Sequence, residues 1–188
     1  MSHYSIKDGR GSGQLAQVDT EGRMHTYATS EPEELHVNRL NADHYISYVD
    51  ITPTADGDYF YYIKNNNTLD MIISWYRIWT ASSAEAIDLI RNPVGTPTGT
   101  TNLTPVNMNF GSNKTATADV YESVDMGGLS GGTTLDRLRI SGDGKDVVDS
   151  YLGGIILPQG SVLACKVVNG AIPVEFTCSF YYTKLDVT

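Results

Sequence analysis

Asp56, Asp58 and Asp70 are the densest set of possible metal ligands in this chain, because they stand in two turn sequences that could meet at one end of a sheet. Calcium takes about six to eight such oxygens. The Asp56-Gly57-Asp58 order lacks the spacing of an EF-hand loop, however, and aspartates in turns ordinarily accept from backbone N–H groups instead. Asp143 and Asp146 make a weaker pair of the same kind. The four histidines, His3, His25, His36 and His44, all precede the strand-rich part, and no two share the spacing of one helix face. Gly9, Gly11 and Gly13 have the look of a phosphate loop. The strand before it, the Lys-Ser/Thr ending and the helix after it are all missing. Hydrolysis needs a paired acid and base, or a nucleophile with its base, and no spacing in the chain selects either. The reading is a protein with no catalytic residues, no cofactor and no metal.

Two further pairs deserve weighing. Trp75 and Trp79 fall on one face of an apolar run, with Met71, Ile73 and Arg77. They could form a platform for stacking sugar rings, or simply pack in the core. Trp79 is the one expected nearer the surface, since Thr80, Ser82 and Ser83 follow it. Cys165 lies on an alternating run over 161–168 and Cys178 on another over 173–182, with Asn169-Gly170 as the turn between. That arrangement points both thiols into one core from neighbouring strands. Two reduced thiols behaving as small hydrophobes are expected rather than a disulfide.

The elements that must carry these residues are strands. Alternating or apolar runs at 46–51, 58–63, 71–79, 86–90, 116–122, 135–141 and 147–157 are separated by turn sequences such as Ala55-Asp56-Gly57 and Gly142-Asp143-Gly144. Residues 94–110, broken by Gly95, Pro97, Gly99 and Pro105, read as a long irregular connection. Run 71–79 is apolar on both faces, so it needs a second layer or another subunit, and 58–63 is expected to form a hairpin with it. The fold class expected is all-β, an antiparallel β-sandwich of jelly-roll type. Residues 1–43 differ: they are Gly-rich and polar, with a small hairpin around Asp19-Thr20-Glu21-Gly22 and one or two helical turns after Ser30. They read as an N-terminal arm, either ordered by a partner or partly disordered, ahead of a sandwich domain at 44–188.

Charge narrows the partners. Thirteen Lys and Arg stand against 22 Asp and Glu in 188 residues, a formal charge of −9. The cations are scattered singly, so the surface repels phosphate and nucleic acid is not an expected partner. The first twenty residues lack the apolar core of a secretory signal, and no run reaches the roughly 18 apolar residues of a membrane span. Without export, the sequons at Asn66, Asn102 and Asn113 are chance matches. Twelve Tyr against four Phe suit half-wet contacts, since a tyrosine buries its ring and keeps its hydroxyl paired.

One segment is explained by none of this chemistry. Asn107-Met108-Asn109-Phe110-Gly111-Ser112-Asn113-Lys114-Thr115 follows Arg91-Asn92-Pro93 and precedes Ala118-Asp119-Val120-Tyr121 and Gly131-Gly132-Thr133. In that order these anchors resemble a segment of small all-β virion proteins of tailed bacteriophages. The opening Lys7-Asp8-Gly9-Arg10-Gly11, the Val18-Asp19-Thr20-Glu21-Gly22-Arg23 run and Tyr62-Ile63-Lys64-Asn65-Asn66 are similar too. The resemblance implies a non-enzymatic virion structural protein, made in the host cytoplasm and assembled into the particle. The form favoured is a capsid decoration (cement) protein, a homotrimer that clamps adjacent major capsid subunits on the outer shell. Head–tail (neck), tail or fibre-attachment roles in the same virion are the alternative, with partners among other virion proteins. From a different class, a carbohydrate-binding β-sandwich module would use Trp79 and nearby tyrosines. The interface candidates are Tyr59, Tyr61, Trp79, Leu15, Tyr27 and Phe110.

Overall fold

The computed structural model describes residues 32–82, 85–140 and 147–184, with backbone alone for 147–153 and for three short strands near the start. The chain divides into two compact units, Met1–Pro32 and Glu33–Thr188. In the first, β1 (Ile6–Lys7), β2 (Leu15–Val18) and β3 (Met24–His25) make a three-stranded antiparallel sheet. The β2–β3 ladder pairs Gln17 with His25 and Val18 with Met24, as a hairpin across the Asp19–Gly22 turn sequence requires. The turn itself and Tyr27 lie outside the described residues.

The second unit starts with α1 (Glu33–Asn41), which carries Glu33 and Glu34 in its first turn and Arg39 in its last, the order that suits a helix dipole. Twelve strands follow: β4 (His44–Ile51), β5 (Tyr59–Asn65), β6 (Asp70–Thr80), β7 (Ala86–Arg91), β8 (Val94–Thr98), β9 (Thr101–Asn102), β10 (Val106–Asn107), β11 (Ala118–Ser130), β12 (Thr133–Arg139), β13 (Val147–Leu157), β14 (Val162–Val167) and β15 (Val174–Thr183). They form two antiparallel sheets. One has the order β10-β4-β15-β6-β13, the other β12-β7-β14-β5-β11-β8 with β9 also on β11. The fold is an all-β sandwich.

Among the described residues of this unit, no ladder joins consecutive strands. From β4 to β7, and again from β12 to β15, the chain crosses from one sheet to the other at each connection. With 94–130 set aside, the sheets read β4-β15-β6-β13 and β12-β7-β14-β5, the interleaved order of a jelly roll. Three expected hairpins are therefore corrected. β5 and β6 lie in different sheets, as do β12 and β13, and β14 and β15. In each case the chain passes from one sheet to the other instead of pairing with the strand it has just left. The Gly142 turn itself falls outside the described residues.

The two inner faces bury Tyr45, Tyr61, Tyr76, Phe176 and Phe180 with a shell of Ile, Leu and Val. Phe176 is the hub: its ring centroid lies 4.7 Å from that of Tyr61, 6.0 Å from Phe60 and 6.1 Å from Tyr76. Cys165 and Cys178 are buried and free. They face the shared core from opposite sheets rather than from neighbouring strands.

β6 departs from strict alternation. Opposite β15, Trp75 pairs with Ser179 but Ile73 pairs with Phe180, so Ser74 is the extra residue of a bulge. A one-residue slip swaps the faces. Met71 and Ile73 point inward before the bulge, and Tyr76, Ile78 and Thr80 after it, so Trp75, Arg77 and Trp79 face out. The grouping of Met71 and Ile73 with the tryptophans is thereby corrected. The outer face of this sheet is covered at one end by α1, where Val37 packs on Ile72 and Tyr181. The second layer that β6 calls for at Ile72 comes from the same chain. Outside the other sheet, Met126 and Leu129 from the second half of β11 pack on Tyr59, Tyr62, Ile90, Val162 and Ala164.

Candidate functional site

Residues 94–130 are inserted into the jelly roll, and the segment 107–114 within them is its most unusual part. β10 adds to the β4 edge through Val106↔Ile46 and Asn107↔Tyr45. The chain then leaves the sheet beside the C-terminal end of α1, where a helix runs out of its own backbone donors; the Asn38 carbonyl still accepts from Ala42 N at 3.1 Å, and those of Asn41 and Ala42 lie beyond the last helical bond. The loop supplies the donors. Asn107 Nδ2 donates to the Ala42 carbonyl at 2.8 Å, and Asn109 Nδ2 to the Asn38 carbonyl at 3.1 Å. Lys114 Nζ donates to the Asn41 carbonyl at 2.6 Å and pairs with the Asp43 carboxylate at 3.1 Å. A cation at a helix C-terminus also suits its dipole. Ala42 ends the helix in the left-handed region, with φ of 51°.

The same side chains shape the loop. The Asn107 carboxamide oxygen accepts from Asn109 N at 2.8 Å, and that of Asn109 accepts from Gly111 N at 3.2 Å. Ser112 Oγ accepts from Lys114 N at 3.1 Å. These local turns suit Asn and Ser because their short side chains reach their own backbone. At the far end the Tyr45 hydroxyl donates to the Thr115 carbonyl at 3.3 Å, and burial pushes its pKa up to about 12, so it stays a donor. Met108 N completes the frame by donating to the His44 carbonyl at 2.8 Å.

This frame holds one side chain outward. Phe110 is 88% exposed, the most exposed large hydrophobic residue described. Val106, Met108 and, on the adjoining helix, Leu40 are exposed as well. A lone surface hydrophobe is ordinary. An aromatic ring on a loop pinned at both ends differs, because the entropy of ordering a contact surface is already spent before a partner arrives. The chemistry available here is recognition. It offers no proton donor, nucleophile or ligand set aimed at a common point.

The other sequence candidates scatter. Tyr61 is wholly buried between the sheets, where its hydroxyl meets Ser47 Oγ at 2.8 Å, and it is not an interface residue. Tyr59 is also covered, with its hydroxyl donating to the Gly131 carbonyl at 3.3 Å. Trp79 is half-buried on the outer face of the β6 sheet, near the exposed Tyr48 and Arg77. Leu15 lies in β2, where only the backbone is described. Of the four whose side chains are described, Phe110 is the one displayed.

Asp58 accepts from Thr54 Oγ1 at 2.8 Å and Ala55 N at 2.7 Å, and Asp56 accepts from Gly170 N at 2.7 Å. Asp70 stands at the opposite end of the sheet, beside Thr183, so the three aspartates do not gather. Among the described residues no group of three or more His, Cys, Asp or Glu is placed to hold a metal. His44 is buried, its Nε2 2.7 Å from Ser179 Oγ, and burial lowers its pKa against the raising effect of Glu34. Asp88, held below the usual carboxylate range by its hydrogen bond and charge pairing with Arg137, ties β7 to β12. The union of α1 with the loop escaped the sequence reading, although the spacing of Asn107, Asn109 and Lys114 was the available signal.

Comparison with known protein families, with characterised proteins and with solved structures finds no match for this chain.

Proposed function

We propose that this is a non-enzymatic assembly protein of a tailed-phage virion, most specifically a capsid decoration protein that binds the outer shell as a homo-oligomer. The observation that carries the reading is the pinned loop. The segment whose residues resemble phage virion proteins is the one that folds into a preformed recognition element with Phe110 at its tip. The jelly roll agrees with a viral structural role, but the same architecture hosts lectins and enzymes, so it does not decide the function alone. The excess of acidic groups suits a surface facing solvent rather than packaged DNA.

Decoration strengthens a shell by bridging neighbouring subunits, so that internal pressure must break additional contacts. The test is add-back to purified particles that lack the protein. Wild type is expected to load to hundreds of copies, and Phe110→Ser to load poorly while melting normally. Saturation at six or twelve copies moves the protein to a vertex, neck or tail position. Equal loading of wild type and Phe110→Ser removes the loop from the function.

A carbohydrate-binding role is favoured by one observation: Trp75 and Trp79 share the outer face of β6 with Arg77, alongside exposed Tyr48. Glycan titration followed by tryptophan fluorescence separates the readings, because only a stacked sugar shifts the emission in the absence of particles.

A further inference from the structure

We infer that the partner of the Phe110 loop is a second copy of this chain, and that the ring enters a pocket at the far edge of the same sandwich. This rests on the reading of the loop as a recognition element. The pocket lies where the two sheets part, between β12 and β13; Leu135, Ile155, Ile156, Leu157 and Pro158 give it an apolar side, and Arg91, Asn92 and Ser161 a polar one. Its volume is roughly 330 Å3. An apolar cavity of about 150 Å3 suffices for a benzene ring, so a phenyl side chain fits with room for its neighbours. Leu135 and Ile156 are 43% and 44% exposed, and both are apolar groups that gain by being covered.

The placement of knob and pocket favours a copy of the chain as occupant. The loop springs from β10 and the pocket from β13, which are the two edge strands of the five-stranded sheet. At about 4.8 Å per strand, four spacings put these edges about 19 Å apart. A molecule with a knob on one edge and its socket on the other cannot satisfy itself. It can satisfy a neighbour, and that neighbour the next, which is a heterologous contact that closes into a ring when the rotation allows. Charge agrees. Copies bearing −9 each repel one another, and like-charge juxtaposition opposes association. Residues 107–113 carry no charge, and the one charged residue lining the pocket is a cation, Arg91. Neither the loop tip nor the pocket lining contributes a carboxylate to the contact, and Arg91 can lie over the incoming ring.

The experiment is light scattering on the full chain with three variants: Phe110→Ser, Ile156→Arg and Leu135→Arg. All three sites are at least partly exposed, and melting curves confirm that each variant folds. Wild type is expected at a multiple of 20.5 kDa, and each variant at 20.5 kDa itself. Mixing Phe110→Ser, which keeps its pocket, with Ile156→Arg, which keeps its knob, is expected to restore a two-chain species and nothing larger. The inference is overturned if wild type is a monomer at its highest soluble concentration, if Phe110→Ser associates as wild type does, or if the mixture stays monomeric. Phe110→Ser that stays associated but loads poorly onto particles sinks the inference and leaves the proposed function standing. If it both associates and loads normally, the inference fails and the loop has no part in the function.

Discussion

Replacing Tyr61 by Phe tests how the two sheets are held in register. Tyr61 stands on β5 and Ser47 on β4, so their 2.8 Å hydroxyl pair bridges the sheets through the core. Both residues are buried, and the Cys178 thiol on β15 lies within reach of the same tyrosine hydroxyl. Tyr61→Phe keeps the ring against Phe176 and removes the oxygen, which orphans the Ser47 hydroxyl in the core. An unsatisfied buried hydroxyl costs about 1–3 kcal/mol. Ser47→Ala is milder, about 1 kcal/mol, because the Tyr61 hydroxyl keeps the thiol. In the double variant neither group is orphaned, so its loss is expected to fall short of the sum by about 1 kcal/mol. The assay is urea unfolding of all four proteins, with melting as a check. At this chain length each kcal/mol moves the melting temperature by about 2–4 °C. Burial pushes the phenol pKa well above its ordinary value, so the loss is expected to be constant across neutral pH. A Tyr61→Phe change below about 0.5 kcal/mol, the range of an ordinary surface substitution, would refute the bridge. So would strict additivity, or a loss of association without a loss of stability.

Three further outcomes are expected. Cys165→Ser and Cys178→Ser each destabilise by about 1–3 kcal/mol by placing a hydroxyl in an apolar site, while reductant leaves the wild-type melting curve unchanged; burial pushes the Cys178 thiol up to about 12, so thiol-alkylating reagents should label neither cysteine without denaturant. Gly128→Ala costs more than about 2 kcal/mol, since Gly128 sits at φ 77° and a Cβ there runs into the Thr96 carbonyl of β8; an unchanged unfolding midpoint and unchanged hydrogen exchange at β8 would count against that crossing. His44 is held below its ordinary pKa of 6.5, so below that pH the unfolded chain takes up a proton the folded chain refuses. Stability contributed by its neutral form is present above pH 6.5 and is lost as pH falls through the folded pKa, with a slope of at most about 1.4 kcal/mol per unit. His44→Gln should flatten that part of the curve, and an unaltered acid limb would show that other groups set it.

Strand content was legible in the chain for a local reason. Alternation over 46–51 and the apolar runs over 86–90 and 147–157 report strands, and turn residues mark where each run stops. The structure finds strands at all three. Pairing was not legible, because period-two alternation says which side is buried and nothing about which strand lies alongside. Hairpins were the economical assumption, and in each of the three expected the two strands lie in different sheets. The bulge at Ser74 shows the same limit at the scale of one residue, since it shifts the phase of β6 and moves Tyr76 and Ile78 inward. For the site, the sequence alone marked out the Asn-rich loop and its phenylalanine, because nothing else explained that spacing. Only the tertiary structure put α1 beside it. The helix end has carbonyls without partners, the loop has Asn107, Asn109 and Lys114 to supply donors, and that bonding between residues some seventy positions apart leaves Phe110 standing out in water.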